Sequence, residues 1–270
     1  RGLQLDCVRH FMSVEFLKRY LLAMASYKAN VFHWHLTDDQ AWRLDIHTRP
    51  KLVTSSAQTS PGFYTHDDVR EIVRFATSLF IEVMPVIETP GHSLAALAAY
   101  PNLSCSGDHF VVPETRVGTY TDIMCVAKQE VATFAREVFS EVVELFPSKF
   151  IHIGGDETIF DQWEASPHVR AFAGMLGLDN LRHDVMEAWF CFVGNLLREK
   201  GRTPVIWDDH MPYRRYVTRK CPNAEKEWVV QAWKMGETVG TNNEASVSQF
   251  FPFRSIASPL KVTYLDYPVG

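Results

Sequence analysis

The stretch Phe150-Ile-His-Ile-Gly-Gly-Asp-Glu157 decides how the rest of the chain is interpreted. Its first four residues are mostly apolar and β-branched, which is typical of a short buried strand. Two glycines follow, and because glycine has no Cβ the backbone can kink there and approach a ligand closely. Neighbouring side chains on a regular strand point to opposite faces. A glycine-softened strand end would let Asp156 and Glu157 serve one cavity, whereas the simpler interpretation is a strand with a polar turn.

Length and composition are those of an ordinary globular protein. The chain has 270 residues, of which 46% are hydrophobic, and a formal net charge of −5 at pH 7. This length suits one large core, and we expect a single domain over residues 1–270. The mildly acidic balance indicates no nucleic-acid partner. No apolar run approaches the roughly 20 residues of a membrane-spanning helix.

The five cysteines are scattered and include no Cys-x-x-Cys pair of the kind that binds zinc. Cys105 and Cys125 flank one polar loop and can form a disulfide in an oxidising compartment. For Cys7, Cys191 and Cys221 we expect free buried thiols.

Apolar periodicities of two and of 3.6 residues alternate along the chain, which predicts βα units and a parallel sheet. The predicted strands cover residues 3–6, 30–36, 81–87, 150–153, 203–206, 227–232 and 259–264. The predicted helices begin after Ser13 and after Thr65, and others cover residues 129–145, 183–200 and 244–251. Ser13 is expected to cap the first helix, and Thr65 with Asp68 to form a capping box.

We predict an α/β fold of the (β/α)8 TIM-barrel type, with seven strands in this sequence and the last βα unit missing from it. A doubly wound open sheet is the alternative. It is disfavoured because no glycine-rich phosphate loop follows the first strand. Polar and aromatic residues follow the strands instead, and a TIM barrel builds its active site at the carboxyl ends of its strands.

Two histidines on the second predicted strand suggest a metal site at first sight. His33 and His35 alternate with Trp34, so both face one side of the strand. Metal-dependent barrel hydrolases that use such a pair also need histidines from later strands, and here strands five and six end in Trp207 and Trp233. We therefore interpret the histidines as core residues, and we predict no metal and no cofactor.

Charged residues at the ends of the first three strands allow two interpretations each. Asp38 and Asp39 either cap a loop or orient a histidine, and His92 is either a turn residue or the histidine that they orient beside the acid pair. Arg9 either donates to sugar hydroxyls or forms a salt bridge with Asp6 or another carboxylate. The residues alone leave these alternatives open.

Aromatic residues say more about the substrate. Trp207, Trp233 and Tyr264 lie at the ends of three successive predicted strands, with Asp208 and Asp266 near them in sequence. Core packing explains any single one of these rings. Three at strand ends, interleaved with carboxylates, suit the mixed apolar and polar faces of a sugar ring.

Four segments of the chain resemble signatures of the family 20 glycoside hydrolases, the β-N-acetylhexosaminidases, in the order in which that family has them. They are Arg1-Gly-Leu-Gln-Leu-Asp-Cys-Val-Arg-His10, His33-Trp-His-Leu-Thr-Asp-Asp39, Glu88-Thr-Pro-Gly-His92 and His152-Ile-Gly-Gly-Asp-Glu157. The resemblance extends from residue 1 to about residue 266, and the His-x-Gly-Gly-Asp-Glu pattern is highly specific.

The resemblance implies exo-acting hydrolysis of terminal non-reducing β-linked N-acetylhexosamine by a retaining, substrate-assisted mechanism. Glu157 would be the general acid and then the base that activates water. Asp156 would accept a hydrogen bond from the 2-acetamido N–H, while the acetamido oxygen acts as the nucleophile. Asp38 and His92 would form a supporting relay near Glu157.

The same resemblance assigns residues to the sugar. Arg9 would bind hydroxyl groups, and aromatic residues would wall the acetamido pocket, with Tyr264 also donating to the acetamido oxygen. Asp39 would be a contact or a support residue. The residues expected to bind substrate are Arg9, Asp39, Trp207, Trp233, Tyr264 and Asp266.

Two features of the family lie outside this sequence, namely a strand-eight segment with a Trp and a Glu that bind the terminal sugar and a smaller α/β domain ahead of the barrel. We therefore expect a fragment of a longer enzyme. We expect an oligosaccharide or glycoconjugate substrate and an extracytoplasmic location, and a homodimer is compatible with the sequence. A non-catalytic carbohydrate-binding relative and a metal-dependent hydrolase are the alternatives, and the presence of both Asp156 and Glu157 disfavours the first.

Overall fold

A parallel sheet of seven strands organises the chain. The computed structural model describes residues 1–54, 61–112, 120–209, 221, 224–233, 253–259 and 263–265. In chain order the strands are β1 (Gly2–Asp6), β2 (Val31–His35), β3 (Thr37–Asp38), β4 (Ala41–Trp42), β5 (Glu82–Val86), β6 (Phe150–His152), β7 (Thr203–Trp207), β8 (Val229–Ala232) and β9 (Arg254–Ala257). Apart from the antiparallel hairpin β3–β4, these strands form one sheet in the order β1-β2-β5-β6-β7-β8-β9. Spatial order equal to chain order, with every pair parallel, is the arrangement of a (β/α)8 barrel.

The register brings the carboxyl ends of the strands to one level. Asp6 pairs with His35, His35 with Val86, Val86 with His152, and His152 with Val205. Side chains that follow these residues along the chain are therefore delivered to the same edge of the sheet.

Helices connect most of the strands. They are α1 (Val14–Ser26), α2 (His66–Ser78), α3 (Leu94–Ala99), α4 (Gln129–Leu145), α5 (Asp161–Ala165), α6 (Pro167–Leu176), α7 (His183–Glu199) and α8 (Ala224–Glu227), with 3-10 turns at Pro50–Val53 and Pro101–Leu103. Among the described residues, no helix combines the length and the apolar character needed to cross a membrane.

Two predicted helix starts are confirmed. Ser13 Oγ accepts a hydrogen bond from Phe16 N at the start of α1. At the start of α2, Thr65 Oγ1 accepts from Asp68 N at 3.2 Å, and Asp68 Oδ2 accepts from Thr65 N at 2.8 Å. This reciprocal pair satisfies backbone donors that have no partner within the helix.

The core lies on both faces of the sheet. On β2, the rings of Phe32 and Trp34 stack with centroids 5.6 Å apart, and Trp34 also meets Tyr64 and Phe146. His33, which points to the opposite face, packs inside the barrel. Strands buried on both faces appear in a sequence as nearly continuous apolar runs. Most of the strands could be predicted from such runs.

The prediction for the seventh strand is wrong. The strand is Arg254–Ala257. Of the predicted range 259–264, residues 260–262 lie outside the described residues, and Thr263 N donates to Pro259 O, four positions earlier. In the described sheet this strand pairs with β8 alone and most of its side chains are exposed. Such a strand lacks the apolar run that identifies the buried strands. The helix predicted over residues 244–251 lies outside the described residues.

The prediction for the cysteines is right in part. Cys105 and Cys125 form a disulfide, as the sequence allowed, and Cys7 is a free buried thiol. The expectation of free thiols at Cys191 and Cys221 is wrong, because they form a second disulfide. Thirty residues separate the two cysteines, and only the packing of α7 brings their Cα atoms within 5.9 Å.

Candidate active site

The ends of β2, β5 and β6 bring together the acidic and basic residues that the sequence singled out. His92 Nδ1 lies 3.0 Å from Asp38 Oδ1. Its other nitrogen, Nε2, lies 3.4 Å from Glu157 Oε2 and 3.7 Å from Asp156 Oδ2. One imidazole therefore separates a buried aspartate from the acid pair.

Opposite charges fix the protonation of this group. Burial alone would raise the pKa of Asp38, but His92, Arg9 and a hydrogen bond from His35 hold it well below its usual value. Burial alone would lower the pKa of His92, but Asp38 and Asp156 raise it well above its usual value. At neutral pH the pair is therefore carboxylate and imidazolium.

Asp156 and Glu157 have different environments although they are adjacent. The side chain of Asp156 is 19% exposed and that of Glu157 is 38% exposed. Burial raises the pKa of Asp156 to about 6, against the opposing effect of His92. Glu157 and His92 adopt left-handed backbone conformations, with φ of 45° and 46°. Non-glycine residues rarely adopt this region, and such strain is concentrated at functional sites.

The structure places Arg9 and Asp39 against Asp38 and His92 rather than apart from them. Arg9 Nη1 lies 2.7 Å from Asp38 Oδ2 and 3.0 Å from Asp6 Oδ2, and its side chain is 28% exposed. Asp39 has no exposed surface, and its oxygens meet His92 Nδ1 and the backbone N–H of Leu94. In this position both carboxylate oxygens of Asp39 are engaged by protein groups.

The aromatic residues occupy two different positions. Trp207 is 4% exposed and packs against His152 and His33 inside the barrel. Trp233 and Tyr264 are half-buried, and their rings are stacked with centroids 6.3 Å apart. Asp266 lies outside the described residues.

Two carboxylates that the sequence reasoning missed complete the site. Glu88 is 1% exposed, and it accepts hydrogen bonds from Trp207 Nε1 and Gly155 N. Asp209 Oδ1 accepts from the backbone N–H of Glu157 at 3.0 Å, and its Oδ2 accepts from Trp233 Nε1 at 2.7 Å. Each follows a strand, so position at a strand end was the available signal.

Three groups of side chains within the described ranges bring three ligand-type atoms within 4.8 Å of one another. They are Asp38, Asp39 and His92; His92, Asp156 and Glu157; and His47, His66 and Glu141. The first two share His92, and the carboxylates of Asp38 and Asp156 beside it raise its pKa well above the usual value. His33 and His35 belong to none of these groups. His33 stacks on His152, and burial lowers its pKa to about 3.

Comparison with known proteins identifies the family of this chain. The model of the catalytic domain of glycosyl hydrolase family 20 matches residues 1–270, and the chain belongs to that family. The chain is 41% identical over 216 residues to a beta-hexosaminidase of Porphyromonas gingivalis, covering 77% of this chain and 28% of that protein. It is 32% identical over 277 aligned positions to a beta-hexosaminidase of Akkermansia muciniphila, covering 99% of this chain and 54% of that protein.

A solved structure shows the same fold. The crystal structure of a beta-N-acetylhexosaminidase superposes with a TM-score of 0.84 at 30% identity, covering 99% of this chain and 56% of that one. The chain thus spans about half or less of the length of these relatives. Membership of this family places the chain among glycoside hydrolases and not among the metal-dependent barrel hydrolases considered as an alternative above.

Proposed function

We propose that this chain hydrolyses terminal non-reducing β-linked N-acetylhexosamine residues of glycans by a retaining, substrate-assisted mechanism. The observation that carries the proposal is the convergence of both acids on one imidazolium. Glu157 Oε2 and Asp156 Oδ2 lie 3.4 Å and 3.7 Å from His92 Nε2 at the strand ends. Two adjacent carboxylates with unlike environments suit two different tasks in one reaction.

In the first step Glu157 donates a proton to the glycosidic oxygen, and the leaving group departs as an alcohol. The acetamido oxygen of the substrate attacks the anomeric carbon as that bond breaks, which gives a cyclic oxazolinium intermediate. Asp156, as a carboxylate, accepts a hydrogen bond from the acetamido N–H and stabilises the positive charge that develops there. Glu157 is the more exposed of the two acids, as its contact with the leaving group requires.

In the second step Glu157, now a carboxylate, takes a proton from water. The oxygen of that water attacks the anomeric carbon, opens the ring of the intermediate and restores the β configuration. No nucleophile from the protein is needed, in keeping with the exception that this family makes to the two-carboxylate scheme.

Asp38 and His92 support both steps as an ion pair. His92 as an imidazolium lies within 4 Å of both acids, so it stabilises each when that acid is ionised. Asp38, fixed by Arg9 and His35, holds the imidazole in place through Nδ1.

The remaining predicted residues suit binding of the sugar. The stacked rings of Trp233 and Tyr264 offer an apolar face, while Asp209 links Trp233 to the backbone of Glu157. Arg9 is partly exposed beside Asp38 and can donate to hydroxyl groups. Because Asp209 links Trp233 to Glu157, the rings of Trp233 and Tyr264 would hold the sugar at a fixed distance from the proton donor.

The test is hydrolysis of 4-nitrophenyl and alkyl β-N-acetylglucosaminides and galactosaminides by the wild type and by Glu157→Gln. We expect kcat/KM of the variant to fall by about 10²–10⁴ on alkyl glycosides and by less on the aryl substrates, because a good leaving group needs less protonation. A 4-nitrophenyl β-glucoside, which has no acetamido group, is the matched substrate control and should not be hydrolysed. Wild-type turnover by the variant, or equal hydrolysis of the glucoside, would contradict the proposal.

The two disulfides support an extracytoplasmic location, because disulfides persist in oxidising compartments. Glycans outside the cytoplasm are therefore the substrate class that we propose. Homodimerisation stays a prediction from the sequence.

A further inference from the structure

Glu88 is a buried carboxyl group for which the mechanism above has no task. It follows β5 by two residues, and its backbone N–H donates to Thr37 Oγ1 in the hairpin at 2.8 Å. Each carboxyl oxygen accepts one hydrogen bond from a different strand end. Oε2 accepts from Gly155 N at 3.3 Å after β6, and Oε1 accepts from Trp207 Nε1 at 3.2 Å on β7.

Gly154, which precedes Gly155, leaves space for the Glu88 carboxyl group because it has no side chain. A Cβ on Gly154 would lie 1.7 Å from Glu88 Oε2 and 2.5 Å from its Cδ, and Gly154 has φ of 73°. No other residue fits both the space and the backbone angle. The close approach that the sequence suggested for a ligand is therefore made, at Gly154, by Glu88.

The surroundings of Glu88 favour a neutral acid. Burial raises the pKa of Glu88 well above its usual value, and the nearby charge of Asp156 adds to the effect. His35 Nδ1 lies 4.0 Å from Glu88 Oε1, beyond hydrogen-bond distance.

We propose that Glu88 is a positioning residue for the reaction inferred above, and that its two accepted hydrogen bonds hold the Gly154–Gly155 turn and the Trp207 indole as one unit. The inference rests on the proposed function. Asp156 directly follows that turn, so the unit sets where Asp156 meets the acetamido group and where the Trp207 ring stands. The raised pKa of Glu88 favours its uncharged form beside Asp156.

Glu88→Gln tests the unit, because the amide nitrogen of Gln cannot accept a hydrogen bond and one of the two donors loses its partner. We expect kcat for an aryl N-acetylhexosaminide to fall by about 10²-fold, the loss typical of a misplacement near 1 Å, with KM nearly unchanged. Because burial favours the uncharged form of Glu88 and the amide of Glu88→Gln is uncharged, the acidic limb of the pH profile should keep its position while its height falls.

Glu82→Gln is the matched control. Glu82 begins the same strand, and its Oε1 accepts from Ser148 Oγ at 2.6 Å and Lys149 N at 3.0 Å, at the opposite end of the sheet. Both donors share one oxygen, and the amide oxygen of Glu82→Gln can accept from both, so this variant should leave urea unfolding and kcat nearly unchanged. An equal fall in kcat in both variants would show a general effect of replacing a carboxyl group on this strand and would overturn the role of Glu88.

A double-mutant cycle in kcat between Glu88 and Trp207 provides a second test. Trp207→Phe removes the indole donor but keeps an aromatic ring, so adding Glu88→Gln to it should cost less than fivefold in kcat. Multiplicative losses, or a Glu88→Gln variant within twofold of the wild type, would overturn this inference alone. A wild type that hydrolyses no N-acetylhexosaminide would overturn the proposed function and this inference with it.

Discussion

Asp156 shows how one carboxylate can serve catalysis at a cost in stability. Its folded pKa of about 6 lies above the value near 3.9 of an unfolded aspartate. A raised carboxyl pKa means that the folded state binds its proton more tightly than the unfolded state does. Ionised Asp156 therefore destabilises the fold above pH 6, and the cost disappears below about pH 4. In the mechanism proposed above, the acetamido N–H needs a carboxylate acceptor at this position.

Asp156→Asn should separate the two effects. We expect the free energy of unfolding at pH 7 to rise by on the order of 2–3 kcal/mol, with no gain at pH 4. We also expect kcat/KM to fall by about 10²–10³, and its acidic limb near pH 6 to disappear. Urea unfolding at both pH values and a pH–rate profile measure this. A gain of equal size at pH 4 and pH 7 would contradict it.

At the scale of elements, the second disulfide ties α7 to the segment that leads into α8. Cys191 lies on α7, and Cys221 lies three residues before the start of α8. Cross-links stabilise mainly by reducing the entropy of the unfolded chain, and the sequence separations are 20 residues for Cys105–Cys125 and 30 for Cys191–Cys221. Both loops are long enough for a substantial contribution.

Replacing Cys191 and Cys221 by alanine should lower the free energy of unfolding by about 3–4 kcal/mol. Each single variant already lacks the bond, so Cys191→Ala, Cys221→Ala and the double variant should be about equally stable in urea unfolding. Additive losses in the double variant would show that the side chains act through packing and not through the bond. The Cys105 and Cys125 pair provides the matched comparison.

At the scale of the whole molecule, the sheet is buried in its middle and exposed along β9. Ile151 on β6 is fully buried, with β5 and β7 on either side, whereas Ile256 on β9 is 37% exposed. Burial of apolar surface is the main favourable contribution to folding, so the middle of the sheet carries more of the stability.

Ile151→Ala should cost about 2–5 kcal/mol and Ile256→Ala less than about 1 kcal/mol. The two variants delete the same atoms from the same sheet, so each controls for the other in urea unfolding. Equal costs would show that β9 is as tightly packed as β6.

The sequence by itself determined the features that depend on near neighbours. The capping box of Thr65 and Asp68, the buried strands and the acid pair at a strand end all lie within a few residues or one periodic run. A short run of residues is enough to predict local backbone geometry and the alternation of apolar and polar side chains. Four short signatures were likewise enough to predict the family. The barrel order then followed because parallel strands need crossover connections between them.

Only the tertiary structure decided which distant groups meet. The contact between Glu88 and Gly155 joins residues 67 positions apart, and that between Asp209 and Glu157 joins residues 52 positions apart. Neither contact produces a periodic pattern in the sequence. The pairing of Cys191 with Cys221 and the location of β9 are of the same kind. Burial also sets the charge of Asp156, His92 and Glu88, because desolvation and neighbouring charges exist only once the strand ends converge.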